Sequence, residues 1–270
     1  MASLLSLAAG IAMLSAPVAA EAGTVITRKA SAHLPAAFDQ PAVATARCPR
    51  GSKVISGGWS IDPVSTGIEV YESRRIPPRR WRVSVVNANA PAAARLTAFV
   101  YCGRTAPYAT TVISRTPDTT GAVQSATARC PRGRSATAGG LLSEVGGPGQ
   151  ALLPLESRRT DRRTWLVATQ KAGFAKAGLI AFAYCTRNAG PLRTRIGTAP
   201  LTDAGGSALT GRCPKPSGAR SGGFEIVTQT AASKYGISES RRVGRRWRTT
   251  ATILAPSAPD TEIISRAFCP

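Results

Sequence analysis

Residues 72–81 read ESRRIPPRRW, residues 156–165 read ESRRTDRRTW, and residues 239–247 read ESRRVGRRW. In an extended strand Glu72 and Arg74 lie on one face, and Ser73 and Arg75 on the other. The short inserts IPP, TD and VG mark a chain reversal. The second arginine pair then opens a returning strand that carries Trp81, Trp165 or Trp247 inward. Each copy thus predicts a β-hairpin whose tip holds four arginines. These are Arg74, Arg75, Arg79 and Arg80; Arg158, Arg159, Arg162 and Arg163; and Arg241, Arg242, Arg245 and Arg246.

The phrase belongs to a longer unit that occurs three times. Each unit opens on an extended segment (TVITRKA, TTVISRT, RTRIGTA) and passes through ARCPRG, ARCPRG or GRCPKP. A glycine pair follows (Gly57-Gly58, Gly139-Gly140, Gly222-Gly223), with a bulky apolar residue after it. The hairpin comes next, and the unit closes on LTAFVYC, LIAFAYC or IISRAFC. WRVSVV after the first hairpin alternates with period two, which puts Trp81, Val83 and Val85 on one face. Cys-Pro-x-Gly has turn chemistry, and a glycine pair inside a strand pattern signals a bulge or a close backbone approach. No long stripe of period 3.6 is present. The fold class is all-β: three antiparallel β repeats of about 80 residues, closely packed, spanning 23–106, 107–189 and 190–270. Two arrangements fit, three small sandwiches in tandem or three sheets around one shared core as in a β-prism.

The six cysteines are spaced 54, 28, 55, 28 and 56 residues apart. The long gap recurs inside each unit, so the simplest pairing is Cys48–Cys102, Cys130–Cys185 and Cys213–Cys269. Each bridge closes a loop worth roughly 4 kcal/mol in the chain-entropy model. Residues 1–22 have the apolar run and small-residue end of a secretory leader, and that run is too short to span a bilayer. A secreted, extracellular protein without a transmembrane segment is expected.

The order CPxG, Gly-Gly, Ser, Trp and Tyr/Phe-x-Cys resembles a repeat of small, uncharacterised secreted actinobacterial proteins. The likeness is carried by Cys48-Pro49-Arg50-Gly51, Gly57-Gly58, Ser73, Trp81 and Tyr101-Cys102 and their counterparts, and it implies no activity. The arginine pairs around the hairpin depart from that pattern. Threefold repetition and cysteine spacing also resemble the vitelline membrane outer layer protein, which implies a β-prism with disulfides.

The net charge is +21, and arginine supplies 29 of the 35 basic residues. Such a surface attracts anions at long range. Catalysis is not expected. His33 is the sole imidazole, and the recurring acids Glu72, Glu156 and Glu239 each precede arginines, which predicts lowered pKa values unsuited to a general acid. No metal or cofactor motif is present. The tryptophans are expected in the core, and Arg47, Arg129 and Arg212 as strand-surface residues whose stems pack. With few aromatics among the basic residues, specific nucleic-acid recognition is not expected. The expected partner is an anionic polymer or cell-envelope component (wall polymer, glycan or headgroup) held by guanidinium forks. The alternative is a structural or interaction protein of the cell surface whose arginines serve packing and solubility.

Overall fold

A computed structural model describes residues 25–35, 40–64, 67–87, 94–104, 110–116, 122–144, 151–172, 178–187, 190–215, 218–228, 234–254 and 260–270. The expected leader lies outside the described residues, as do Pro216 and Ser217 in the third Cys-Pro turn. The first copy supplies β1 (Ile26–His33), β2 (Pro41–Arg47), β3 (Lys53–Asp62), β4 (Ile68–Ile76), β5 (Arg80–Asn87) and β6 (Arg95–Gly103). The second supplies β7 (Thr110–Thr116), β8 (Val123–Arg129), β9 (Arg134–Glu144), β10 (Ala151–Arg159), β11 (Thr164–Ala172) and β12 (Gly178–Arg187). The third supplies β13 (Arg193–Pro200), β14 (Gly206–Leu209), β15 (Ser221–Val227), β16 (Tyr235–Val243), β17 (Arg246–Ile253) and β18 (Glu262–Cys269). No helix among the described residues is long and apolar enough to cross a membrane.

Each copy forms two facing three-stranded layers. In the first copy β1-β6-β3 make one layer and β2-β5-β4 the other. Period-two alternation turns Trp81, Val83 and Val85 of β5 inward, where they meet Leu96, Ala98 and Val100 of β6. Ala42, Ala44 and Ala46 of β2 pair with Val85, Val83 and Trp81, so the smallest side chains stand beside the largest. The expected disulfides staple the layers: Cys48–Cys102, Cys130–Cys185 and Cys213–Cys269.

The layers continue into the neighbouring copies. β4 pairs with β9 through Glu72↔Leu142 and Ser73↔Leu141. β10 pairs with β15 through Glu156↔Glu225 and Ser157↔Phe224, and β16 closes the ring on β3 through Glu239↔Ser60 and Ser240↔Trp59. Three six-stranded antiparallel sheets result, ordered β1-β6-β3-β16-β17-β14, β13-β18-β15-β10-β11-β8 and β2-β5-β4-β9-β12-β7. Each draws three strands from each of two copies. Both arrangements left open by the sequence are therefore partly realised: every copy is a small sandwich, and all three share one centre.

The glycine pairs make this junction possible. The first glycine of each pair (Gly57, Gly139, Gly222) lies against the ring of its own copy's tryptophan, where a Cβ would overlap the indole. The second lies against the strand arriving from another copy. A Cβ at Gly140 would sit 2.6 Å from the carbonyl oxygen of Ser73, and Gly58 and Gly223 face Ser240 and Ser157 in the same way. The glycines thus permit close approach, while the bulges fall elsewhere, at Val54/Ser56, Val70/Glu72 and Tyr184/Cys185 among others. Trp81, Trp165 and Trp247 donate their indole N–H to Ser73, Ser157 and Ser240 at 3.1, 3.1 and 3.0 Å. Glycines, tryptophans and serines together enclose an axial space of only about 20 Å³.

Gly140→Ala is expected to destabilise the fold by about 3 kcal/mol, because the methyl meets backbone that belongs to a crossing strand. Gly190→Ala, where a Cβ meets nothing within 4 Å, is the matched control. Denaturant unfolding of both variants checks this, and equal stability would contradict the packing described.

Candidate functional site

The strand registers place all three hairpin tips at one end of the molecule. Cys48 N–H donates to the carbonyl of Arg79 at 2.9 Å, which ties the first tip to the start of β3. β3 runs antiparallel to β16, so its start lies at the tip end of the third hairpin. Cys213 N–H to Arg245 and Cys130 N–H to Arg163 continue the same relation around the ring. This tip end also holds the disulfides and the Cys-Pro turns, where Gly51 and Gly133 adopt φ of 76° and 75°.

The twelve arginines of the repeated phrase occupy different environments at this end. Arg74, Arg158 and Arg241 fold back on the glutamate two residues earlier. Glu72 is buried, and accepts from Arg74 Nε at 2.6 Å, Arg82 Nη2 at 2.7 Å and Ser84 Oγ at 2.6 Å. Arg248 and Thr250 serve Glu239 in the same way, at 2.9 and 3.1 Å. The guanidinium of Arg74 lies 5.5 Å over Phe182 of the second copy, and that of Arg241 lies 5.2 Å over Phe99 of the first.

The next arginine of each phrase fixes the seam through its backbone. Arg75 N–H donates to the Tyr184 hydroxyl and Arg242 N–H to that of Tyr101, each at 2.7 Å. At the third seam Phe268 stands in the tyrosine's place, and Arg159 instead lies 5.2 Å over its ring. Arg163 and Arg245 wrap the carbonyls of Cys130 and Cys213, at 2.7 and 3.1 Å. Arg80 and Arg162 are exposed, while Arg79 and Arg246 are half-buried. The second copy is out of step with the others. Thr164 occupies the position of Arg80 and Arg246, and Arg162 sits inside the turn, next to Asp161.

Sheet β13-β18-β15-β10-β11-β8 solves the charge problem with different residues. Leu166 replaces the cross-strand arginine, and Arg266 replaces the phenylalanine platform. Glu225 supplies the missing acid, pairing with Arg158 at 3.2 Å and Arg266 at 2.5 Å. Two carboxylates now crowd one site. Burial, with Glu225 adding to it, raises the Glu156 pKa against the pull of Arg158. The lowered value expected from sequence is therefore not found there. Burial also pushes Glu72 up, but hydrogen bonds from Arg82 and Ser84 and the charges of Arg74 and Arg82 outweigh it, and its pKa is lowered as expected.

Sequence reasoning underweighted the basic residues that flank each first cysteine. Arg47, Arg50, Arg129, Arg132, Arg212 and Lys215 are all exposed, and all lie at the tip end with Arg80 and Arg162. Among the described residues Asp161 is the one exposed acid there, because Glu72, Glu156 and Glu239 are covered and paired with guanidinium groups. Asp62, Glu69, Glu144, Asp203, Asp260 and Glu262 lie at the opposite ends of the strands. Their recurrence beside each cysteine was visible, but their common end is a property of the closed ring. No group of three or more His, Cys, Asp or Glu that could hold a metal occurs among the described residues.

No family model and no curated protein matches this chain. Among solved structures it aligns with translation elongation factor SelB from Methanococcus maripaludis, in the apo form and with the GTP analogue GppNHp. Identities are 8% and 10%, with 90% and 89% of this chain and 63% and 62% of those chains covered. Both TM-scores are 0.15, so neither carries an argument.

Two outcomes follow from the seams. Phe268→Tyr is expected to give Arg159 N–H the acceptor its counterparts have, raising stability by about 1 kcal/mol in denaturant unfolding. Glu72, with its folded pKa below the unfolded value, contributes stability that is complete above the unfolded value and lost as pH falls through the folded one. Glu72→Gln is therefore expected to cost on the order of 2 kcal/mol near neutral pH, with the deficit shrinking on acidification. Glu156 has the opposite sign. Ionising it costs stability above the unfolded pKa, and acidification removes that cost, so Glu156→Gln costs less near neutrality. Superposable pH–stability profiles for the two variants would refute the assignment.

Proposed function

We propose that this protein is an exported, non-catalytic binding protein whose basic end engages an anionic polymer of the cell envelope or its surroundings. The observation that carries the reading is the segregation of charge. Three copies bring matched exposed cations to one end, where Asp161 is the one exposed acid among the described residues. Asp62, Glu69, Glu144, Asp203, Asp260 and Glu262 lie at the other end, alongside exposed Arg95 and Arg115, and Glu72, Glu156, Glu225 and Glu239 are paired with arginines at the seams. A cluster of like charges raises the local concentration of counter-ions, and guanidinium forks match carboxylate, phosphate and sulfate. The reading distributes the work within the repeated phrase. Arg74, Arg158 and Arg241 build the seams, whereas Arg80 and Arg162 join the cysteine-flanking residues on the binding surface. Three disulfides favour an oxidising compartment, in keeping with the leader expected at 1–22. The ion pairs that lock Glu72 and Glu239 to guanidinium groups favour a structural over a catalytic role for these recurrent acids.

The mature protein is expected to be retained on purified cell wall and on soluble polyanions, less so as salt rises. Changing Arg47, Arg50, Arg80 and Arg132 together to Ser is expected to weaken retention at moderate salt by roughly tenfold or more, without altering the thermal midpoint. Arg74→Ser should do the reverse, lowering stability with little effect on retention. If the quadruple variant and the parent elute together at every salt concentration, the protein is a structural component and its arginines serve the fold.

A further inference from the structure

A cavity of about 250 Å³ opens between the hairpin tip of the second copy and the connection into the third. Ser135, Arg159, Asp161, Arg162, Leu192 and Thr194 contribute to its wall. It lies where the threefold pattern is broken, with Phe268 for tyrosine beneath Arg159 and Asp161 in the turn. Arg159 is half-buried and held on two sides. Its Nη2 donates to the Leu192 carbonyl at 3.0 Å, and its guanidinium lies over Phe268. Burial lowers its pKa, opposed by the charge of Asp161. Arg162 Nε donates to Ser135 Oγ at 3.0 Å, so a second guanidinium is oriented on the same wall. Asp161 accepts from Arg163 N–H at 2.6 Å and Thr164 Oγ1 at 2.8 Å, and also from the Thr164 backbone N–H. The carboxylate, with about four lone-pair sites, keeps further acceptor capacity.

We propose that this cavity is a subsite for one acidic sugar unit of the bound polymer. The carboxylate, phosphate or sulfate of the sugar lies against Arg159 and Arg162, and its hydroxyls meet Asp161, Ser135 and Thr194. The combination is selective. A bare oxyanion gains from the two guanidinium groups but is repelled by Asp161, whereas a sugar hydroxyl turns the same carboxylate into an acceptor. The described wall has no aromatic ring for a nucleobase to stack on, which favours a sugar over a nucleotide. A pocket slightly below the usual range for drug-sized ligands suits one monosaccharide. This inference rests on the polymer-binding reading of the basic end and specifies its ligand.

Calorimetric titration of the mature chain tests it with glucuronate, N-acetylglucosamine 6-phosphate, inorganic phosphate and glucose. At least one acidic sugar should bind saturably, about tenfold tighter than phosphate or glucose. Arg162→Gln removes an exposed guanidinium, and Thr194→Trp fills the cavity from an exposed strand position without changing charge. Each should weaken acidic-sugar binding about tenfold or more while leaving the thermal midpoint in place, and Thr194→Trp, which touches none of the basic residues of the wall-binding surface, should leave wall retention in place as well. Equal affinity for phosphate and the acidic sugars, or binding that survives both variants, overturns the subsite. Absence of saturable binding in a protein still retained on cell wall overturns the subsite alone. Absence of both overturns the basic-end reading with it.

Discussion

Everything in this fold passes through the contact between a tryptophan ring and a bare glycine Cα. Trp81, Trp165 and Trp247 each lie on the first glycine of their own copy's pair and donate to the serine of their own hairpin. That one interaction sets the spacing of the two layers, the depth of the hairpin and the distance of each copy from the axis. The second glycine lets the hairpin strand of another copy cross at backbone contact. Larger residues at either position would push a layer outward and open the axial space, which is now too small for more than about one water molecule. The serine is therefore structural in all three copies, although it sits in the middle of the most charged part of the sequence.

Placing charge beside such a dense centre imposes a second constraint. A buried carboxylate is tolerated only when its partners are in place. Two of the sheets meet this condition identically, with one glutamate between two arginines and a phenylalanine from the next copy under one guanidinium. The third meets it with an added pair, Glu225 and Arg266, after losing both the cross-strand arginine and the phenylalanine. The replacements make sense only together. Arg266 without Glu225 would bring an unmatched charge onto the seam, and Glu225 without Arg266 would leave two glutamates sharing Arg158. What recurs between copies is a balanced charge at a fixed place, rather than a fixed residue.

This explains which features were legible in the sequence. Strand type, hairpin position and disulfide pairing depend on short-range periodicity and on spacing within a unit, and the repeats print those three times. The crossing of β4 to β9, β10 to β15 and β16 to β3 rests on only two paired residues at each seam. Pairing that short leaves no trace in a pattern of alternation, so the choice between tandem sandwiches and a shared centre stayed open. The arginines were legible as a group and not as individuals. ESRR pointed correctly to Glu72 and Arg74 on one face, but the partner Arg82 and the stacking rings of Phe182 and Phe99 come from other strands and other copies. Glu156 departs from the lowered pKa expected of it because its environment includes Glu225, 69 residues away in the chain.

The same end of the molecule carries both the repulsion and the means of resisting it. Exposed Arg47, Arg50, Arg129, Arg132 and Arg212 share this end and repel one another, and their mutual cost rises as salt falls. Each flanks a cysteine whose partner lies in the facing layer, and each cysteine N–H is also held by the carbonyl of a hairpin arginine. A bridge closing a loop of more than fifty residues contributes roughly 4 kcal/mol, more than one or two surface charges withdraw. The staples therefore stand where charge would otherwise pry the layers apart.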